Sequence, residues 1–341
     1  MSRRPPGQHD RPGHDPTLGE VGEAGILRAV LADLPPAPHV LVGPGDDTAL
    51  VATAGRVLAT TDTMVLGRDW RDDWSSGADV GAKVVVQNLA DLAAMGGTGT
   101  ALLLTVVAPG DRRLSWVREL VAGVRAAADA AGVPLVGGDL SSSDGAVTVS
   151  VTALGELTAP GPVLRSGAVP GQVVAVSGPL GRAAAGLELL RAADEGRWPP
   201  PEAAELATML VGYHCRPEPD LSQGPVAARA GAGAMIDVSD GLVRDAARVA
   251  EASDVTVHLD EAAVLSLADR LRPALDGAGA LRCVLGGGEE HTLLATFDRG
   301  HVPAGWTPVG TVAADSGVSG RVLWRGEQVD PSGGGWDHFG G

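Results

Sequence analysis

Cysteine is nearly absent from this chain: two in 341 residues, Cys215 and Cys283, isolated from each other. A disulfide framework needs more, and a structural zinc site needs C-x-x-C or Cys/His clusters that do not occur. His214 stands beside Cys215, but one neighbouring pair is no metal site. The expectation is a reduced compartment, the cytoplasm. Aromatic residues are also scarce, at 3%, against a hydrophobic share of 44%. The core must therefore be built from Val, Leu and Ala. Basic residues number 26 against 42 acidic ones, a net charge of −16. That balance excludes non-specific binding to nucleic acid or to anionic membrane. No apolar stretch approaches the roughly 20 residues of a membrane span. Residues 1–17 are rich in Arg, Pro, Gly and His and hold no apolar run, so they read as a disordered tail rather than a signal peptide.

Several nucleotide-binding signatures are missing as well. There is no G-x-x-x-x-G-K-[ST] loop, no kinase H-R-D or D-F-G set and no serine nucleophile elbow. Gly231-Ala-Gly233 lacks the third glycine of a dinucleotide fingerprint and reads as a turn.

The length exceeds one typical core and points to two domains. Residues 56–61, 101–107, 135–136 and 147–154 read as strands. Residues 79–95 have helical periodicity and stop at Gly96-Gly97. Residues 114–131 read as a helix with Trp116, Leu120, Val124 and Ala127 on one stripe. A Gly- and Pro-rich connector covers 155–171. The second unit reads as strands at 172–177, 235–237, 255–259, 293–297, 308–312 and 321–324, with helices at 182–191 and 242–252. Strands alternating with helices predict an α/β (α+β) layered fold. The expected division is a tail to residue 17, an N-terminal domain over 18–158 and a C-terminal α/β domain over 165–341.

What the chain does have is seven aspartates in unusual settings. Asp46 and Asp47 lie in Gly43-Pro-Gly-Asp-Asp47, Asp62 in Thr60-Thr-Asp-Thr63, Asp91 in Asn88-Leu-Ala-Asp91 and Asp139 in Gly137-Gly-Asp139. Asp237 and Asp240 share Asp237-Val-Ser-Asp-Gly241. Each ends or interrupts an apolar run, with few Lys or Arg nearby in sequence. A carboxylate in an apolar setting is costly unless paired, hydrogen-bonded or metal-bound. Dispersed acids at strand ends suggest divalent cations, and Mg²⁺ brings phosphates with it. Each signal has an ordinary alternative. Asp46-Asp47 suits an Asx turn, Ser239 suits a helix N-cap, and the Asn88/Asp91 face suits solvent. Asp62 follows a strand expected to be buried, with hydroxyls on both sides. Asp139 is expected at the C-terminal edge of its strand, after two glycines that let a ligand approach the backbone. Ser239 precedes a helix whose N-terminal amides suit phosphate. Gly286-Gly-Gly-Glu-Glu290 adds glycine freedom and two acids. Phosphoryl transfer needs such metal-holding groups and no covalent nucleophile.

Taken in order, these strings resemble the thiamine-monophosphate kinase family of the aminoimidazole-ribonucleotide-synthetase-like superfamily. The matching segments are Gly45-Asp-Asp47, Thr61-Asp-Thr63, Asn88-Leu-Ala-Asp-Leu-Ala-Ala-Met-Gly96, Gly137-Gly-Asp139, Arg165-Ser-Gly167, Asp237-Val-Ser-Asp-Gly241, Gly287-Gly-Glu289 and Trp336-Asp-His-Phe339. The resemblance implies two α/β domains, with the N-terminal one pairing in a homodimer. It implies direct phosphoryl transfer from ATP to thiamine monophosphate with several Mg²⁺ ions. It also implies roles: Asp47, Asp62, Asp91, Asp139, Asp237 and Asp240 on metal, with Thr60 and Thr61 as helpers. Gly138, Asp139, Arg165 and Ser239 match ATP contacts. Glu289 and Trp336 match substrate contacts, and Asp69 stands where the family has a substrate-touching His. Asp69-Trp70 replaces His-Phe, and Glu290-His291-Thr292 replaces Asp-Tyr-Glu. Both departures are expected on the substrate side. They leave open a non-catalytic nucleotide-binding paralogue, or an enzyme of the same superfamily with another substrate.

Overall fold

The computed structural model describes residues 15–31, 37–42, 50–314 and 320–330. Asp46, Asp47 and Trp336 lie outside the described residues. The chain forms two compact units. The first comprises residues 1–52, 61–85 and 101–152; the second comprises 53–60, 86–100 and 153–341. The chain passes between them within single elements, so the boundary is not one linker.

The first unit opens with α1 (Leu18–Val21) and α2 (Glu23–Leu31). Thr17 and Glu20 close a capping box on α1, which satisfies two orphan amides at once. Asp15, inside the stretch expected as a tail, accepts from the Ser115 amide at 3.1 Å. A short antiparallel pair follows, β1 (Val40–Val42) with β2 (Leu50–Val51). Next come β3 (Val57–Val65), α3 (Gly77–Ala94), β4 (Gly97–Ala108), α4 (Leu114–Ala131), β5 (Leu135–Ser142) and β6 (Thr148–Leu157). The four longer strands make a sheet of order β3-β6-β4-β5. Helix α4 buries Trp116, Leu120 and Val124 of the expected stripe, while Ala127 is only partly buried and Ala128 takes the core position. Trp116 stacks on Trp70 with ring centroids 6.3 Å apart. Trp70, one of the family departures, is thus a core residue.

The second unit contains β7 (Val173–Val176), α5 (Arg182–Asp194), α6 (Ala204–Cys215), α7 (Gln223–Arg229), β8 (Met235–Asp237), α8 (Leu242–Ser253), β9 (Val255–Leu259), α9 (Glu261–Asp269), α10 (Gly277–Gly286), β10 (Leu293–Phe297), β11 (Thr307–Ala314), β12 (Arg321–Trp324) and β13 (Glu327–Gln328). Its seven-stranded sheet runs β13-β12-β9-β11-β7-β10-β8. β10 is buried at every position, as a strand covered on both faces must be. The core there is Val, Leu and Ala almost throughout, with Phe297 and Trp306 edge to face at 5.2 Å.

Both cysteines are buried and unbridged. Burial pushes the Cys283 thiol up to about 12, and the nearby Glu188 charge adds to it. A protonated, buried thiol is inert. Native protein at pH 8 is expected to resist iodoacetamide, and unfolded protein to take up two equivalents by mass spectrometry. Rapid labelling of native Cys283 would contradict its burial.

Candidate active site

Thr60, Thr61 and Asp62 sit on β3, and Gly138 and Asp139 on β5. Alternation along β3 puts Thr60 and Asp62 on one face and Thr61 on the other. The Thr61 hydroxyl accordingly donates to the Val151 carbonyl on β6 at 3.0 Å. Its side chain does not share the Asp62 face. The strand is not buried as expected: it lies at a sheet edge, and alternate residues from Val57 to Thr63 are exposed. The Asp62 main-chain carbonyl accepts from Ser150 Oγ at 3.0 Å.

Asp139 is not at the end of its strand. β5 continues to Ser142, so Asp139 sits mid-strand and exposed, accepting from Ser141 Oγ at 2.9 Å. Gly138 next to it has a reason that the sequence did not reveal. It pairs with Leu104 on β4, and a Cβ added there would lie 1.8 Å from the Leu104 carbonyl oxygen. The close approach is to a neighbouring strand. Asp69 Oδ2 accepts from the Val65 amide at 2.7 Å, closing its own turn.

In the second unit Asp91 is half-buried on α3 and accepts from Thr60 Oγ1 at 2.6 Å. Asn88 and Lys83 on the same helix are buried, with Asn88 fully so. This polar face is therefore not a solvated one. Arg165 is exposed, in a short 3₁₀ turn, Arg165–Gly167.

Asp237 ends β8, buried, and its Oδ2 lies 3.1 Å from His291 Nδ1. His291, expected on the substrate side, lies against Asp237, a residue expected on metal. Asp240 was expected to lack a basic partner. It pairs with Arg248, which also reaches Asp245 Oδ1 at 2.7 Å. Arg248 is eight residues further on, and two helical turns bring it back. Ser239 does not cap α8. Its N-cap is Gly241, and the Asp240 and Gly241 amides donate to Asp245 Oδ2 at 2.9 and 3.0 Å. Asp245 was missed in the sequence. Burial pushes its carboxyl up to about 7, with the Asp237 and Asp240 charges adding, while the amides and Arg248 pull the other way.

The loop before β10 divides the two acids expected there. Glu289 is partly exposed, with Oε2 3.7 Å from His214 Nδ1. Glu290 is fully buried, its Oε1 2.7 Å from Arg182 Nε. Of the two, Glu289 alone keeps solvent exposure.

Among the described residues, no three of His, Cys, Asp and Glu converge as a ready metal cage. The donors are carboxylates and hydroxyls, the hard oxygen set that suits Mg²⁺. Mg²⁺ keeps several waters and takes one or two carboxylates plus substrate phosphates, so dispersed acids fit it without a protein-only cage.

Residues 45–157 match the AIR synthase related protein, N-terminal domain. A thiamine-monophosphate kinase of Mycobacterium tuberculosis is 41% identical over 335 residues, 97% of this chain and 96% of that protein. One from Corynebacterium glutamicum is 37% identical, covering 87% and 88%.

The chain belongs to the thiamine-monophosphate kinase family.

Solved structures agree. The thiamine-monophosphate kinase of Stenotrophomonas maltophilia K279a superimposes with TM-score 0.73 at 29% identity, covering 89% of this chain and 95% of that one. The structure described as AaThiL complexed with AMPPCP and TMP gives TM-score 0.71 at 29% identity, covering 94% and 98%. Against this thiamine-monophosphate kinase background the departures sort by position. Trp70 fills the core, Asp69 closes its own turn, Glu290 anchors a loop, and His291 lies against Asp237.

Proposed function

We infer that this chain transfers the γ-phosphoryl group of ATP to the phosphate of thiamine monophosphate, giving ADP and thiamine diphosphate. The carrying observation is the 41% identity to a thiamine-monophosphate kinase over 97% of the chain. In the reaction the bond from the β,γ-bridging oxygen to the γ-phosphorus breaks. A bond from that phosphorus to an oxygen of the acceptor phosphate forms. No residue is phosphorylated on the way.

Asp47, Asp62, Asp91, Asp139, Asp237 and Asp240 are assigned to Mg²⁺, which supplies charge neutralisation on the phosphates when bound. The support is their oxygen-only chemistry and the order of the motifs. Thr60 holds the Asp91 carboxylate at 2.6 Å and so fixes the direction of its second oxygen. Thr61 is assigned through its place in the motif, since its hydroxyl is engaged with β6. Arg248 pairs with Asp240 and balances part of its charge. Gly138, Asp139, Arg165 and Ser239 are assigned to ATP, and Asp69, Glu289 and Trp336 to the acceptor. A guanidinium such as that of Arg165 suits phosphate in a bidentate way.

A homodimer through the N-terminal region is supported by the exposed edge strand β3, where Val57 is 47% exposed. An open edge of this kind is either covered or a liability. Among the described residues no helix is long and apolar enough to cross a membrane. We place the enzyme in the cytoplasm, where ATP is supplied.

The test is ADP release coupled to a reporter enzyme, with thiamine monophosphate, ATP and Mg²⁺. Turnover that requires all three is the expected result. ATP binding without turnover would support the non-catalytic paralogue instead.

A further inference from the structure

We propose that Arg182 and Tyr213 are positioning residues that act through Glu290 to set Glu289 against the acceptor substrate. The proposal rests on the assignment of Glu289 to that substrate.

Three consecutive residues carry the geometry. Glu289 and His291 both adopt left-handed backbone, with φ of 59° and 54°. Neither is glycine, so each conformation is disfavoured and must be imposed by its surroundings. Glu290 between them does the imposing. Its side chain is fully buried. Oε1 accepts from Arg182 Nε at 2.7 Å, and Oε2 accepts from the Ala183 amide at 3.2 Å. Arg182 and Ala183 open α5, where free amides and the helix dipole favour a carboxylate. The backbone of Glu290 is held as well. Tyr213 Oη donates to the Glu290 carbonyl at 3.0 Å and accepts from Arg182 Nη2 at 2.6 Å. The guanidinium also lies over the Tyr213 ring, 3.7 Å from its centroid. Two helices, α5 and α6, thus grip one residue of the loop by both side chain and main chain.

The grip is transmitted to the neighbours. The Glu289 amide donates to the Ser239 carbonyl at 2.7 Å, and the His291 amide to the Val238 carbonyl at 2.9 Å. Alternate side chains are therefore driven apart. Glu290 goes into the core, while Glu289 stays partly exposed beside His214. A buried ion pair contributes little net stability compared with apolar packing. What it supplies here is orientation, because a guanidinium fork donates to its partners in few geometries.

Tyr213→Phe removes one hydroxyl and leaves the ring under Arg182. Kinetics and calorimetric binding of thiamine monophosphate, with Mg²⁺ and a non-hydrolysable ATP analogue, are measured beside melting temperature. The expected result is a KM for thiamine monophosphate raised about tenfold, a matching loss of binding, and a KM for ATP changed less than about twofold. A second variant separates positioning from stability. Arg182→Met with Glu290→Gln removes both charges, so no buried charge is left unpaired. Its melting temperature is expected to stay near that of the wild type while the raised KM persists. An unchanged KM in Tyr213→Phe, or a wild-type KM in the double variant, overturns the proposal. Wild-type turnover of thiamine monophosphate is measured first. Its absence would sink the assigned function, whereas wild-type turnover with unaffected variants sinks only the positioning role.

Discussion

Asp62→Asn and Asp139→Asn are each expected to lower kcat by about a thousandfold or more and to leave the fold intact. A metal ion on a transferring phosphoryl group is worth several kcal/mol of transition-state stabilisation, and about 4 kcal/mol corresponds to three orders of magnitude in rate. An amide keeps the size and one acceptor oxygen of the carboxylate but loses the charge that holds a hard cation. The folded state gives little reason for collapse. Asp139 is exposed, and its hydrogen bond from Ser141 at 2.9 Å can be accepted equally by an asparagine oxygen. Asp62 is held in β3 through its main-chain carbonyl, which the substitution does not touch. Substitution at an exposed position such as Asp139 usually changes stability by less than about 0.5 kcal/mol. Circular-dichroism melting curves beside initial rates of ADP release make the check. Near-normal kcat in either variant removes that residue from the metal set.

Gly138→Ala is the second large effect, and it falls on stability. The added methyl would lie 1.8 Å from the carbonyl oxygen of Leu104, well inside van der Waals contact. That oxygen belongs to the backbone of β4, and Leu104 and Gly138 are register partners in the parallel β4–β5 ladder. It cannot swing away as a side chain would. Overpacking typically costs about 1–3 kcal/mol, and more when nothing can yield. A loss of about 3 kcal/mol lowers the melting temperature of a domain this size by roughly 6 °C or more. Differential scanning calorimetry decides it. A variant with wild-type melting temperature but weakened ATP binding would make Gly138 a nucleotide contact and not a packing requirement.

Helices and strands with strong periodicity were legible in the sequence. α4 spans the range expected for it, residues 114–131, and the β9, β10 and β12 segments coincide with their apolar runs. The expected helix over 79–95 is α3, stopped by Gly96 with φ of 77°. Helices α1, α2, α6, α7, α9 and α10 were passed over. α7 is short and holds Gly and Pro, α10 is rich in glycine, and α6 and α9 show apolar residues whose faces are completed by packing rather than by pattern. Local propensity is a weak prior against such tertiary context.

The candidate site was legible as residue types and not as partners. Asp240 looked unpaired because Arg248 is remote in sequence and near only on a helix. Glu289 and Glu290 looked alike because adjacent letters carry no direction. Asp139 looked terminal because Gly137-Gly138 reads as a strand end, whereas β5 runs through both glycines.

The sequence alone determined the chemistry on offer: oxygen donors without cysteine clusters, a strongly acidic balance, and an ordered set of motifs shared with one kinase family. Composition and order survive unfolding, so they can be read from letters. Tertiary structure decided which acids are available. It turned Glu290 inward to Arg182, set His291 on Asp237, tied Asp69 to its own turn, and left Asp139 exposed in mid-strand. A carboxylate's role depends on its burial and its nearest donors, and both are fixed only when distant segments meet.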